Sequence, residues 1–140
     1  MIFSHIHHKN MKSSSAIIKS ALDVLNIEIS GVKLVKRTFD SNFVAAIKEL
    51  SKTKGRVIIT GIGKSGHIAN KIASTMSSTG TAAQFCHSNE MSHGDLGILS
   101  SKDILIIISN SGNSSELKDV ISFSKKNKIK TIGISSTNNS

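Results

Sequence analysis

The sequence contains no proline, tryptophan or tyrosine, and its only cysteine is Cys86. A single cysteine excludes a framework of internal disulfides and is typical of a reducing compartment. The missing tryptophan and tyrosine, and the lack of any nucleic-acid-binding motif, argue against a nucleic-acid partner, although the formal charge is +9. No apolar run approaches the roughly 20 residues that cross a bilayer, and no signal-peptide pattern is present. We therefore expect a cytoplasmic protein that binds neither nucleic acid nor membrane.

The composition is that of a globular domain. With 140 residues, of which 38% are hydrophobic and 19% are charged, the chain has room for one domain. Residues 1–12 lack a clear period and are predicted to form a disordered tail, in which His5, His7 and His8 are incidental rather than metal ligands. Residues 13–140 are therefore predicted to form the domain.

Hydrophobic periodicity predicts alternating helices and strands over this domain. The serines at 13 to 15 are candidate N-caps of the first helix, and Gly31 is where we expect that helix to stop. The third helix is expected to point four apolar side chains inward, namely Ile68, Ile72, Ala73 and Met76. The predicted helices cover residues 15–30, 41–52, 66–78 and 114–126, and the predicted strands cover 56–60, 82–86, 104–108 and 130–134. Because the strands are short and apolar, the pattern predicts an α/β fold with helices on both faces of a parallel sheet.

The first strand leads into a G-x-G-x-x-G pattern at residues 61–66. A dinucleotide site would need an acidic residue about 20 positions later, and none lies between Gly55 and Glu90. A Walker A loop is excluded because Ile58 stands where that loop needs a glycine. The pattern still predicts an anion site, since glycines allow close backbone approach, a helix N-terminus favours negative charge and Lys64 adds a cation. Two neighbours of that lysine, Gly63 and Ser65, are candidate contacts; the alternative is a tight turn in which Lys64 points into water.

The third strand leads into a second loop, residues 109–116, which is dense in hydroxyl groups. Hydroxyls and N–H groups at a helix start can wrap a phosphate, and parallel sheets bind ligands beyond the carboxyl ends of their strands. Ser109, Ser111 and Ser114 are therefore candidate phosphate contacts. Two interpretations of Glu116 stay open, because it fits a capping box with Asn113 and is equally a candidate catalytic carboxylate.

Two histidines and two acids follow the second strand within nine residues: His87, Glu90, His93 and Asp95. The spacing of the histidines is not that of the zinc proteases. A metal site with a ligand from elsewhere is compatible with this segment. A sugar site, in which imidazoles bind hydroxyls and transfer protons, is equally compatible.

Four motifs, in this order, resemble those of the D-arabinose-5-phosphate isomerases, whose catalytic portion is a sugar isomerase (SIS) domain. They are G-I-G-K-S-G-H-I at 61–68, S-T-G-T at 78–81, H-x-x-E-x-x-H-G-D-L-G at 87–97 and S-N-S-G-x-S-S-E at 109–116. The resemblance covers about residues 15–135 and implies a three-layer αβα sandwich of the SIS type, which is flavodoxin-like. It also implies interconversion of D-ribulose 5-phosphate and D-arabinose 5-phosphate through an enediol. In the family this reaction feeds 3-deoxy-octulosonate into lipopolysaccharide or capsule, and a pair of CBS domains often follows.

The resemblance further implies catalytic roles for three residues. Lys64 and Glu116 match catalytically relevant positions; we assign the polarising donor to Lys64 and leave Glu116 as a candidate for proton transfer. His93 matches a substrate-contacting histidine and is expected to assist ring opening or to bind hydroxyls.

Other matching positions imply substrate contacts without a chemical step. Gly80 and Thr81 match substrate-proximal residues, and His87 matches a substrate-contacting histidine at a position where zinc can bind and usually inhibits. No cofactor is required by the family reaction. SIS proteins commonly build sites between subunits, so we expect a homo-oligomer.

The chain departs from the family pattern at three places. Ser88-Asn89 stand where Pro-Gly is usual, and Asn113 stands where Glu is usual. The family's further catalytic glutamate and histidine would fall beyond Ser140, so the C-terminal strand and helix are expected to be missing here. Two functions therefore stay open: an isomerase that needs those downstream residues, and a non-catalytic sugar-phosphate-binding module or inactive truncated isomerase. The segment from His87 to Asp95 favours the enzyme.

Overall fold

The computed structural model describes residues 13–92 and 94–137. The predicted tail at 1–12 and the site residue His93 therefore lie outside the described residues. The chain divides into two compact units, of which one ends at Val44 and the other begins at Ala45. None of the helices in the described part of the chain is both long and apolar enough to cross a membrane.

The first helix, α1, runs over Ser14–Val35, and the hydroxyl of Ser13 caps it by accepting a hydrogen bond from the Ala16 N–H at 3.3 Å. The N-cap prediction is confirmed, but the predicted stop at Gly31 is wrong. Gly31 does not adopt the positive φ of a glycine that ends a helix. One glycine inside a helix costs only about 1 kcal/mol, and the residues that follow it extend α1 by a further turn.

The second helix, α2, covers Ser41–Lys52, as predicted. Its N-terminus is capped by a residue that the periodicity did not single out. The carboxylate of Asp40 accepts hydrogen bonds from the N–H groups of Asn42 and Phe43 at 2.9 and 3.0 Å.

Four parallel strands form one sheet: β1 at Val57–Gly61, β2 at Ala83–Phe85, β3 at Ile104–Ile108 and β4 at Lys130–Ile134. Their order across the sheet is β2-β1-β3-β4, and every neighbouring pair is parallel. The chain therefore leaves β1 toward one side for β2 and then crosses to the other side for β3. The topological switch point lies between the carboxyl ends of β1 and β3, where ligands bind in open α/β sheets.

Alternate residues of β1 and β3 supply two apolar cores on opposite faces of the sheet. On one face, Val57 and Ile59 pack with Ala69 and Ala73 of α3, the helix Lys64–Ser78. On the other face, residues of β1 and β3 pack with α4 and α5, the helices Ser88–Ser92 and Lys118–Lys126. The residues of that second core are Ile58, Cys86, Met91, Leu99, Leu105, Ile107, Leu117, Val120 and Ile129. The predicted αβα sandwich with a parallel sheet is confirmed.

Details of the helices differ from the predictions. Ile68 is 55% exposed rather than inward, because Gly66, Ala69 and Ala73 are the residues of α3 that face the sheet. These small side chains allow the helix to lie close to β1. The short helix α4 and a 3-10 turn at Asp95–Ile98 were not predicted.

Candidate functional site

The loop from β1 to α3 needs its three glycines for different reasons. Gly63 has φ of +54° in open space, so its backbone conformation requires glycine. A Cβ on Gly61 would lie 2.9 Å from the carbonyl oxygen of Ile108, and one on Gly66 would lie 2.8 Å from the carbonyl oxygen of Gly61. The first glycine therefore lets β1 end against β3, and the third lets α3 start against β1.

Lys64 is the first residue of α3 and is exposed. Its N–H and that of Ser65 donate no hydrogen bond to another described residue, since the first bonds at this end are those from Gly66 and His67 to the carbonyls of Ile62 and Gly63. Within the described ranges Lys64 also forms no ion pair. Free N–H groups, the positive end of a helix and an unpaired ammonium group are suited to an anion.

The loop after β3 is held by its own serines. The hydroxyl of buried Ser109 accepts a hydrogen bond from the Gly112 N–H at 3.1 Å and lies 3.2 Å from the hydroxyl of Ser114. The hydroxyl of Ser111 accepts from the Asn113 N–H at 3.3 Å. Gly112 turns the chain with φ of +67°. The three serines named from the sequence therefore lie in one compact turn, in which one hydroxyl of the Ser109–Ser114 pair donates to the other.

The two loops leave the same edge of the sheet from neighbouring strands. Gly61 pairs in register with Ile108, so the last residues of β1 and β3 are side by side. Neighbouring strands lie about 4.8 Å apart. Lys64 and the serine turn consequently flank the switch point between β1 and β3.

Glu116 does not form the capping box that is one of its two interpretations. A 3-10 turn at Ser115–Leu117 precedes α5, and the residue before that turn is Ser114 rather than Asn113. The exposed Glu116 carboxylate instead accepts a hydrogen bond from the Ser115 hydroxyl at 3.0 Å. Its own backbone N–H and then the Ser115 hydroxyl hold the pKa of Glu116 below its ordinary value. The carboxylate is therefore ionised at neutral pH and free to accept a proton or a hydroxyl hydrogen bond.

His87 lies between β2 and α4, also at the carboxyl edge. Its Nδ1 accepts a hydrogen bond from the Asn89 N–H at 3.3 Å, and its ring meets the Phe85 ring edge-on at a centroid distance of 6.2 Å. A neutral imidazole that accepts at Nδ1 carries its proton on Nε2. His87 is thus set up to donate from Nε2.

The described residues fit a bound zinc ion only in part. A metal at Nε2 of His87 would require the ring proton to move to Nδ1, which would break the hydrogen bond from the Asn89 N–H. Over residues 13–92 and 94–137, no three histidine, cysteine, aspartate or glutamate side chains are grouped so as to hold a metal ion. The described part of this segment therefore offers a single nitrogen ligand.

Gly80 and Thr81 are not brought together with the other candidate residues. They lie between the end of α3 and the start of β2, where the Thr81 N–H donates to the carbonyl of Met76 at 2.9 Å. This is the amino edge of the sheet. A five-residue strand separates it from the carboxyl edge by about 15 Å at the rise of a parallel strand.

Sequence reasoning missed two residues that contact the serine turn. Ser136 and Thr137, which follow β4, donate hydrogen bonds to the carbonyls of Asn110 and Ser111. Their position just past the end of a strand that neighbours β3 was the available signal.

The fold and the two loops define an α/β domain of the kind that binds small anions at the carboxyl edge of its sheet. Comparison with known proteins narrows this class. Residues 49–140 match the model of the SIS domain. The chain belongs to the SIS domain family.

Relatives of known structure and sequence agree with this assignment. The arabinose 5-phosphate isomerase KdsD of Francisella tularensis is 44% identical over 127 residues, which is 89% of this chain and 39% of that protein. A structure from Escherichia coli CFT073, solved in complex with arabinose 5-phosphate, is 35% identical with a TM-score of 0.87 and covers 92% of this chain and 69% of its own. A Listeria monocytogenes structure described as a putative sugar-phosphate isomerase is 26% identical with a TM-score of 0.87, covering 94% of this chain and 69% of its own. The chain thus spans about two fifths of the length of the curated relative.

Proposed function

We propose that this chain carries the sugar-phosphate site of a D-arabinose-5-phosphate isomerase, acting on D-ribulose 5-phosphate and D-arabinose 5-phosphate. The observation that carries the proposal is the placement of Lys64 and the serine turn on either side of one switch point. The identity of the sugar is supported by the 44% identity to the Francisella enzyme. In the relatives' pathway the product supplies 3-deoxy-octulosonate for lipopolysaccharide or capsule, which fits a cytoplasmic enzyme.

The reaction needs one group that moves a proton between two carbons and one that polarises the neighbouring oxygens. Ring opening of arabinose 5-phosphate frees the C1 aldehyde. Loss of the C2 proton to a base, with a proton added to O1, gives the enediol. Return of the proton from the base to C1, with loss of the O2 proton to balance the one added at O1, gives the ketone of ribulose 5-phosphate. We assign the donor to Lys64 and the proton-transfer group to Glu116, whose exposed carboxylate lies in the loop after β3.

The remaining candidates hold the substrate. Ser65, Ser109, Ser111 and Ser114 would bind the phosphate together with the N–H groups at the start of α3, and the turn at Gly63 lets the backbone approach it. His87 would donate from Nε2 to a sugar hydroxyl. His93, which lies outside the described residues, remains a proposed participant in ring opening. The reaction uses no cofactor, and zinc bound through His87 would compete with the sugar.

Gly80 and Thr81 would meet the substrate only if a second copy brings its amino edge to the site. A homo-oligomer is also supported by α1, which has no buried residue. It exposes ten large apolar side chains, namely Ile17, Ile18, Leu22, Val24, Leu25, Ile27, Ile29, Val32, Leu34 and Val35. We propose that self-association covers part of this surface, because an apolar surface of this extent is typical of an interface.

The alternative is a sugar-phosphate-binding module without turnover. It is favoured by the fact that the two loops that would bind the phosphate lie side by side at the carboxyl ends of β1 and β3. The module needs the loops but has no use for a proton-transfer group such as Glu116.

One experiment separates the two functions. Conversion of ribulose 5-phosphate is followed with the chain, with Lys64→Ala and with Lys71→Ala, a control that removes an exposed lysine two turns further along α3. Loss of the donor is expected to lower turnover by about 10²-fold or more, while the control keeps it. Full activity of Lys64→Ala would exclude the donor role, and sugar-phosphate binding without turnover in the unmodified chain would support the module.

A further inference from the structure

The segment that follows β4, residues 135–137, runs beside the serine turn beyond the end of the sheet. The Ser109 N–H donates to the carbonyl of Ile134 at 3.0 Å, and the Ser136 N–H donates to the carbonyl of Asn110 at 3.1 Å. These two bonds continue the β3–β4 ladder past the pair Ile108–Ile134. We call residues 135–137 the post-β4 segment.

Side chains of the post-β4 segment add two hydrogen bonds to the same turn. The Ser136 hydroxyl donates to the Asn110 carbonyl at 2.5 Å, so this oxygen receives both the hydroxyl and the N–H of Ser136. The Thr137 hydroxyl donates to the Ser111 carbonyl at 3.0 Å. Two successive carbonyl oxygens of the turn are therefore directed toward the post-β4 segment.

This direction matters for an anion because a carbonyl oxygen repels a phosphate and an N–H group attracts it. The C=O and N–H of a planar trans peptide point in opposite directions. When the Asn110 carbonyl points to Ser136, the Ser111 N–H points away from the post-β4 segment, and it donates to no other described residue. The Gly112 N–H, released in the same way by the Ser111 carbonyl, donates to the Ser109 hydroxyl.

We propose that Ser136 and Thr137 are positioning residues that hold the carbonyls of the serine turn away from the phosphate and the Ser111 N–H toward it, while the Gly112 N–H stays bonded to Ser109. They act through Asn110 and Ser111 and need not touch the ligand. The assignment rests on the proposed phosphate-binding role of residues 109–114. With this role, the carboxyl end of β4 contributes to sugar-phosphate affinity, in addition to the carboxyl ends of β1 and β3.

The test uses inorganic phosphate as the probe and the amide resonances of Ser111 and Gly112 as the readout. Thr137→Val keeps the shape of the side chain and removes the donor, whereas Thr137→Ser keeps the donor. Thr131→Val, the same change at the amino end of β4, is the matched control, because the Thr131 hydroxyl donates to the Ile129 carbonyl at the other edge of the sheet. Ser136→Ala is a second variant and retains the backbone bond to Asn110.

Loss of one orienting hydrogen bond is expected to weaken phosphate binding about three- to tenfold in Thr137→Val. Thr137→Ser and Thr131→Val should bind as the unmodified chain does. Unchanged amide chemical shifts of Gly133 and Ile134 show that the sheet of each variant is intact. Equal phosphate affinity in all variants would overturn the positioning role alone. A wild-type chain in which phosphate moves neither amide would overturn the phosphate-binding role of the turn, and with it this assignment.

Discussion

The carboxylate of Asp103 lies 2.7 Å from the backbone nitrogen of Arg56 and accepts its hydrogen bond across 47 positions of sequence. The second carboxylate oxygen accepts from the N–H and the hydroxyl of Ser100, both at 2.9 Å, and lies 3.8 Å from the Arg56 guanidinium. Asp103 is only 3% exposed. It therefore joins the amino ends of β1 and β3, at the edge of the sheet opposite the candidate site.

We expect Asp103→Asn to lower the free energy of unfolding by about 1–3 kcal/mol, because an amide cannot accept at all of these positions. Burial raises the pKa of Asp103, but the hydrogen bonds from Arg56 and Ser100 and the Arg56 charge lower it to a net value below the ordinary one. The stability contributed by a carboxylate with a lowered pKa is fully present above its unfolded pKa of about 3.9 and is lost as the pH falls toward the folded value. Urea unfolding at several pH values should show this loss below about pH 4 in the wild type and a weaker loss in the variant. Asp23→Asn, at an exposed position of α1, should behave as the wild type does.

Gly66→Ala is expected to destabilise the domain by about 1–3 kcal/mol, because the added methyl group would press on the Gly61 carbonyl oxygen. Gly133→Ala, in β4, is the control, since a Cβ there meets no atom within 4 Å. Thermal unfolding of both variants provides the measurement. A Gly66→Ala protein as stable as Gly133→Ala would show that α3 can move away from β1 without cost.

Ser115→Ala is expected to raise the pKa of the Glu116 carboxyl group, because it removes the hydroxyl donor and leaves only the Glu116 backbone N–H to stabilise the ionised form. The carboxyl carbon resonance, followed through an acid titration, reports this pKa directly. In an active protein, the pKa that governs the acid limb of the pH–rate profile should rise by the same amount. Glu116→Gln should remove that limb and most of the turnover. Ser122→Ala, on the exposed side of α5, should leave the titration unchanged. An unchanged titration in Ser115→Ala would mean that the hydroxyl bond does not persist in solution.

Glutamate at two apolar positions of α1 should dissociate the proposed oligomer. We expect the double variant Leu22→Glu, Leu25→Glu to elute as a monomer in size-exclusion chromatography with light scattering, because charges would replace exposed leucines in the interface. Asn26→Glu adds a charge at a polar position of the same helix and should retain the assembly. A wild-type chain that is already monomeric at all concentrations would refute the proposed use of α1.

Zinc should bind weakly and compete with the sugar phosphate. Isothermal titration of zinc into the chain should show a heat that is lost in His87→Gln but retained in His67→Gln, which removes an exposed histidine of α3. In an assay of turnover, His87→Gln should be resistant to inhibition by zinc. Undiminished zinc binding in His87→Gln would assign the metal to other residues.

The sequence predicted the sheet better than it predicted the helix ends. β3 and β4 have the predicted bounds. For β3 the reason is that a run of isoleucine and leucine between polar turns leaves little freedom in where a buried strand begins, whereas β4 is mostly exposed. The end of α1 was missed because the cost of one glycine is smaller than the gain from the helix formers after it. The predicted capping box of Asn113 and Glu116 does not form, because the Asn113 N–H donates to the Ser111 hydroxyl within the turn and the helical residues begin only at Ser115.

The candidate site was predictable where it depends on one loop and its strand. Lys64 and the serine turn follow from the glycine and serine patterns together with the rule that ligands bind at the carboxyl edge. The contacts of Ser136 and Thr137 with that turn depend on strand order, which the local pattern does not contain. The location of Gly80 and Thr81 at the amino edge, by contrast, follows from their place directly before a strand of a parallel sheet.

The parallel sheet also sets how the chain must fold. Every strand pair joins residues that are distant in sequence, as when Ile58 pairs with Gln84 and with Leu105. Chains dominated by such non-local pairs fold in milliseconds to seconds rather than microseconds. Because the sequence has no proline, the prolyl isomerisation that takes tens of seconds in many proteins has no residue on which to act. A slow refolding phase in this chain would therefore report the assembly of the sheet or the association of subunits.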